Sequence, residues 1–229
     1  MIPLGEERRV PVVPIAVYAI IALNVYVFLL EVSGPSDALI NSFALVPYDI
    51  THHLAPVGAP RPDALTLITS QFLHGSVLHI VFNMIFLAVF GPHIEYLTGH
   101  ARFIVFYLAC GIVGGLAQTM ADPASHIPSI GASGAIAGVL GAYIVRFPAA
   151  TINTLTPIGC FPLFLRLPAV LVIGVWAVTQ FMHGFGAINT RVATESGDGI
   201  AYFAHIGGFL TGLFAIGLFA RRRGARPNW

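Results

Sequence analysis

The sequence predicts an all-α, polytopic membrane protein: a six-transmembrane-helix bundle forming a single domain over residues 1–229. Three observations carry that expectation. Of the 229 residues, 56% are hydrophobic and only 9% charged, and the mean hydropathy is +0.82, outside the composition of water-soluble domains. Six separate apolar runs approach the roughly 20 residues that a helix needs to cross about 30 Å of hydrocarbon. Arginines recur at the ends of these runs in a pattern that gives all six a consistent orientation.

The first run, Val12 to Leu30, follows the charged start MIPLGEERRV. It is too long for a signal-peptide core and lacks a small-x-small cleavage site, so it is expected to be a retained span. The connection from Glu31 to Ser76 is long for a compact membrane domain and contains the apolar patch LTLITSQFL, which points to a functional element packed on or in the membrane surface. The remaining spans are Val77 to Leu97, Arg102 to Thr119, Ser133 to Phe147, Leu167 to His183 and Ile200 to Ala220. Six spans place Arg8, Arg9, Arg102, Arg146, Arg166, Arg221, Arg222, Arg223 and Arg226 on one side, with only Arg61 and Arg191 on the other. Basic residues are retained in the cytoplasm. Both termini are therefore expected there, and spans two, four and six run inward. The short flanks favour a prokaryotic cell (inner) membrane.

Other function classes drop out. All eleven basic residues are arginine and the formal charge is +1, so no basic face is available for nucleic acid. Cys110 and Cys160 lie in different segments and form no CxxC pair, leaving packing as their expected role. No HExxH or comparable carboxylate-bearing set suggests a metal, and no cofactor is expected. The GxSxG of soluble hydrolases is also absent, because Ala135 stands where its second glycine would be.

Polar groups inside spans are costly and mark function. At about 1.5 Å per residue, Ser133 lies about 20 Å from Arg146, His205 about 24 Å from Arg221, and His79 and Asn83 about 24 and 18 Å from Glu95. All four fall in one layer, below the outer face. His79 and Asn83 are four apart and share a helix face. Gly134, Gly138 and Ala142 on span four, and Gly208 and Gly212 after His205 on span six, form small-residue stripes that let backbones approach in lipid. Spans four and six are expected to touch, with Ser133 against His205.

Serine becomes a nucleophile when a base takes its proton. The oxyanion formed on attack then needs fixed donors. His79 and Asn83 offer side-chain donors, and Ser133 starts a helix whose free N–H groups favour negative charge. Every acidic residue lies in a loop, a tail or at a span end, so the expected arrangement is a Ser/His dyad without an orienting carboxylate. The stretch ADPASHIPSIG, with Pro123 and Pro128, is expected to be irregular and to line a wet pocket with Ser133 at its floor. Alone, Ser133 reads as packing filler and His205 as an interhelical hydrogen-bonding residue; it is their combination that points to catalysis. Asn24 and Gln118 are expected to bond between helices. His52, His53, His74, His93, His100, His126 and His183 are expected to be solvated or structural, with His74 supporting the loop beside His79.

The motifs HGSVLHIVFN in span two, GASG around Ser133 and AHIGGFLTG in span six resemble the rhomboid family of intramembrane serine proteases, from about Leu65 to Ala220. The resemblance implies that Ser133 attacks a peptide bond in a transmembrane segment of a membrane protein. His205 would act as base and acid, with an oxyanion hole from His79, Asn83 and the Ser133 backbone. It also implies that Gly131 and Ala132 shape the turn before the serine and that span five, around Trp176, borders a lateral gate. One departure is Ala137, where relatives often carry an aromatic that stacks on the histidine, so something else must hold His205. A catalytically silent relative that only binds transmembrane segments is the second reading. A small transporter is the third, although the buried charges or paired repeats it needs are absent.

Overall fold

The chain opens not on a helix but on a strand, β1 (Ile2–Glu6). The computed structural model describes residues 1–7, 10–34, 36–54, 63–158, 161–190 and 201–221. Arg8, Arg9, Arg61, Arg191, Arg222, Arg223, Arg226 and Cys160 lie outside the described residues.

Helix α1 (Ile15–Ser33) begins immediately after Pro14. The sequence expectation began three residues earlier, but Pro14, with its φ fixed and no N–H to donate, sits at the helix start as the N-cap. The free N–H groups at its start are met by one buried carboxylate: Glu95 accepts from Ala16 N (2.9 Å) and Val17 N (2.8 Å). A buried negative charge on a helix N-terminus is stabilised by both the donors and the dipole. Short helices α2 (Ser36–Phe43), α3 (Pro47–His52) and α4 (Thr66–Thr69) follow. They occupy the long connection, and α3 and α4 pack on α6 (His100–Ala121).

Helix α5 (Val77–Thr98) starts where the Ser76 side chain accepts the His79 N–H at 3.2 Å. It ends at Gly99, whose φ of +84° reverses the chain within one residue before α6. Helix α7 (Ser133–Arg146) is followed by strands β2 (Thr151–Ile158) and β3 (Phe161–Pro168), then by α8 (Ala169–Thr190) and α9 (Tyr202–Phe219).

The all-α expectation therefore needs correction. β1, β2 and β3 form an antiparallel sheet with β2 in the middle. Ile152 and Thr154, two residues apart on one face of β2, are buried. The Glu6 carboxylate of β1 lies 2.8 Å from His93 Nδ1 of α5 and accepts the Tyr143 hydroxyl of α7. This ties the sheet to the far end of both helices.

Four helices, α1, α5, α6 and α9, are long and apolar enough to cross a membrane; among the described residues α7 and the first part of α8 are shorter apolar helices. Their outward faces carry Tyr26, Leu29, Leu78, Val105, Val178, Met182, Phe214 and Leu218, all exposed. That is the pattern of a surface solvated by lipid.

Lipid gives helices no hydrophobic reason to associate, so close backbone packing must do it. A Cβ at Gly208 would overlap the Gly134 carbonyl oxygen, and one at Gly212 the Gly138 carbonyl oxygen. The expected contact of the two stripes is thus met, with α7 and α9 backbones in direct contact. Cys110, buried beside Gly138, is a packing residue. Gln118 of α6 bonds between helices, accepting the Phe203 N–H of α9 at 3.2 Å. Asn24 donates to Ile20 O within its own helix and also meets the Tyr107 side chain of α6. Around this contact Leu87, Phe90, Phe103, Phe106, Tyr107, Leu140 and Tyr143 form the buried core.

Candidate functional site

Ser133 is the first residue of α7, and the structure brings His205 of α9 against it: Oγ and Nε2 are 2.7 Å apart. The glycine contact one turn further along makes this approach possible. Both side chains are half-buried.

The turn before Ser133 depends on Gly131, whose φ is +121°. A Cβ there would lie 2.7 Å from His79 Nε2. The imidazole of His79 therefore rests on the bare backbone of Gly131, beside the serine. Gly131 N–H is held by Ser70 O at 2.9 Å, and Ser129 pairs with Leu45 in an isolated bridge. The long connection, expected to be a functional element, is in this way what clamps the GASG turn. Asn83 lies one turn below His79 on α5 and is buried, and its Nδ2 has no protein partner. A buried, unpaired donor is costly in a finished structure. His79 thus lies beside the serine, Asn83 sits one turn below His79 on α5, and the first N–H groups of α7 have no partner within the helix.

A cavity of about 30 Å³, lined by Ser70, Gln71, Gly131, Ser133 and Ala204 among others, adjoins the serine. It has room and polar partners for a water.

His205 is held in ways the sequence did not reveal. Its Nδ1 lies 2.7 Å from Oε1 of Gln180 on α8. The Trp176 ring sits 5.9 Å away at 40°, and Tyr202 meets it edge-on at 6.5 Å. These groups hold the imidazole, and Ala137 is fully buried in the core. The signal for Gln180 was its spacing, four residues after Trp176, which puts both on one face of span five.

Two acidic residues are bound into structure, away from Ser133. Glu31, inside α1 rather than beyond it, accepts the His74 N–H with both oxygens at 3.1 Å, while Glu95 holds the α1 start and His100. His74 supports the loop as expected, meeting the His79 ring edge-on at 5.0 Å. Burial, helped by the neighbouring His79, pushes its imidazole down to about 4 from an ordinary 6.5. Between those values the unfolded chain takes up a proton that the folded chain refuses. Stability should accordingly be flat above pH 6.5 and fall between 6.5 and about 4. Thermal unfolding in detergent checks this: the midpoint should drop across that window, and a His74→Gln variant should show a shallower drop. An unchanged profile in the variant would assign the effect elsewhere.

Comparison with known proteins bears on the same residues. A family model described as Rhomboid domain matches residues 61–222, which contain His79, Asn83, Ser133 and His205. The chain is 32% identical over 203 residues to Rhomboid protease GluP of Bacillus subtilis, covering 88% of this chain and 34% of that protein. It is 27% identical over 201 residues to Rhomboid protein 1, mitochondrial, of Saccharomyces cerevisiae, covering 86% and 51%. Presenilin-associated rhomboid-like protein A, mitochondrial, of Danio rerio is 29% identical over 162 residues, covering 69% and 38%. The chain spans between about a third and a half of the length of these relatives. With more than half of its residues matched by the family model, the chain belongs to the rhomboid family.

Proposed function

We propose that this protein is an intramembrane serine endopeptidase that cuts transmembrane segments of other membrane proteins, using Ser133 as nucleophile and His205 as general base and acid. The observation that carries this reading is the 2.7 Å contact between Ser133 Oγ and His205 Nε2 at the start of a helix.

In this mechanism Nε2 takes the hydroxyl proton as Oγ bonds to the scissile carbonyl carbon. The carbonyl oxygen becomes an oxyanion stabilised by the His79 ring, the Asn83 amide and the Ser133 backbone N–H. Collapse breaks the C–N bond, and Nε2 returns its proton to the leaving amine. Water entering the cavity beside Ser133 then attacks the acyl ester and gives its proton to Nε2; the C–Oγ bond breaks, the acid leaves, and Nε2 returns the proton to Oγ. No cofactor is required.

Six membrane spans, one domain over residues 1–229, both termini in the cytoplasm and a site opening toward the outer side of the cell membrane complete the proposal. The supporting observation is that Arg221 of the α9 end donates to Thr98 O at the α5 end, while Tyr143 of α7 and His93 of α5 share Glu6. One end of all three helices thus gathers at the side carrying Arg102, Arg146 and Arg166.

A peptide bond inside a helix is shielded on all sides, so the substrate must open locally before attack. Purified protein in liposomes should cleave a model transmembrane segment with Gly or Pro near the cut about tenfold or more faster than a uniform Leu/Ala helix, with unwinding on the order of 1–3 kcal/mol setting the ratio. Equal rates would contradict the unwinding step. No cleavage of either would favour a silent protein that only binds such segments.

A further inference from the structure

We propose that Gln180 is the positioning residue of this site: its side-chain oxygen fixes the proton of His205 on Nδ1 and so leaves Nε2 free to accept from Ser133. The proposal rests on the endopeptidase reading and adds a residue to it.

Amide orientation follows from the surrounding bonds. Gln180 Nε2 donates to Thr179 Oγ1 at 3.4 Å, and Thr179 Oγ1 in turn donates to Trp176 O at 2.7 Å. That leaves Oε1, an acceptor only, facing His205 Nδ1 at 2.7 Å. An acceptor at Nδ1 requires the ring proton there, and the opposite nitrogen then presents a lone pair to the Ser133 hydroxyl at 2.7 Å. Without Gln180 the proton is free to sit on Nε2, where it blocks the transfer that activates the serine.

The groups around His205 explain why an amide occupies this place. They are Ser133 from α7, Trp176 and Gln180 from α8, Tyr202 from its own helix, and His79 from α5, beside Ser133 at Gly131. A carboxylate at the same position would have to be desolvated in the bilayer, whereas a neutral amide orients the ring without that cost. Because Gln180 and Trp176 ride on α8 while His205 is on α9, the ring stays locked only while these two helices remain apposed.

Wild type, Gln180→Leu and Gln180→Glu should be compared for kcat, KM and pH–rate profile on one transmembrane substrate in liposomes. Gln180→Leu is expected to lower kcat about 10- to 100-fold with KM within about twofold. Gln180→Glu is expected to recover most of kcat while moving the acid limb up by about one pH unit, since a carboxylate on Nδ1–H favours the imidazolium. A leucine variant with wild-type kcat, or a glutamate variant with an unmoved acid limb, would overturn the proposal.

A readout independent of cleavage is ¹⁵N NMR of His205 in the Ser133→Ala protein, which reports which ring nitrogen is protonated. Protonation at Nδ1 supports the assignment, and a ring protonated at Nε2 overturns it. Should the wild type cleave nothing, the endopeptidase reading fails, while this spectrum still decides the role of Gln180.

Discussion

Ser133→Ala is expected to abolish peptide-bond cleavage, lowering kcat by roughly 10⁴-fold or more. The reason is specific to this site. Attack by Oγ turns hydrolysis into two steps, each with its nucleophile already in place. Removing Oγ leaves only bulk-like water, and the cavity beside Ser133 measures about 30 Å³. A water in its place can still meet His205 Nε2, but it is not tethered in line with the scissile carbonyl as Oγ is, and that positioning is what the variant loses. The alanine protein should keep its thermal midpoint within about 2 °C, because one half-buried hydroxyl contributes at most about 1 kcal/mol to stability. Cleavage assays on a transmembrane substrate and unfolding curves measured on the same preparations test both halves. Residual cleavage within tenfold of wild type would mean that another residue is the nucleophile.

Gly208→Val is expected to cost both stability and activity. A Cβ at Gly208 would overlap the Gly134 carbonyl oxygen, and Gly141 stands in the same relation to Phe209 O. The obstacle is backbone, which cannot rotate away, so α7 and α9 must separate. Overpacking of this kind costs about 1–3 kcal/mol. The separation also pulls Ser133 from His205 on the same two helices, and a contact of 2.7 Å does not survive a shift of an ångström or more. Cleavage should therefore fall about 100-fold or further, with a lowered thermal midpoint. Gly217→Ala is the control: nothing lies within 4 Å of a Cβ there, on the same helix. It should be neutral or slightly stabilising, since alanine exceeds glycine in helix propensity by up to about 1 kcal/mol. A valine variant with the wild-type midpoint and rate would show that the glycine contact does not set the site.

What the sequence revealed and what it hid divide along physical lines. Ser133, His205, His79 and Asn83 were legible because a polar side chain in a span is expensive and four at one depth need a common reason. The helix contact was legible because small residues at every fourth position have one use in lipid. Gln180 was not legible because an orienting group for a histidine is expected to be a carboxylate, and a neutral amide near a span end carries no such signal. The carboxylates of Glu31 and Glu95 are buried but consumed by backbone N–H groups. The sheet escaped because span five was expected to begin at Leu167, whereas Leu167 and Pro168 close β3 and the helix starts at Ala169; Pro162 and Pro168 lie in β3, at a sheet edge where a missing N–H is tolerated. Strand β1 was hidden by its length and by the charges beside it, since its partner strand is more than 140 residues away in sequence. Periodicity within a window cannot reveal such a pairing.

Labelling with a fluorophosphonate probe, followed by mass spectrometry of the modified peptide, tests the central claim most directly. The account predicts one adduct, on Ser133, formed by the wild type and lost in a folded His205→Ala protein. An adduct on a different serine, an adduct on Ser133 that forms equally well without His205, or no adduct on a folded wild-type protein would contradict it.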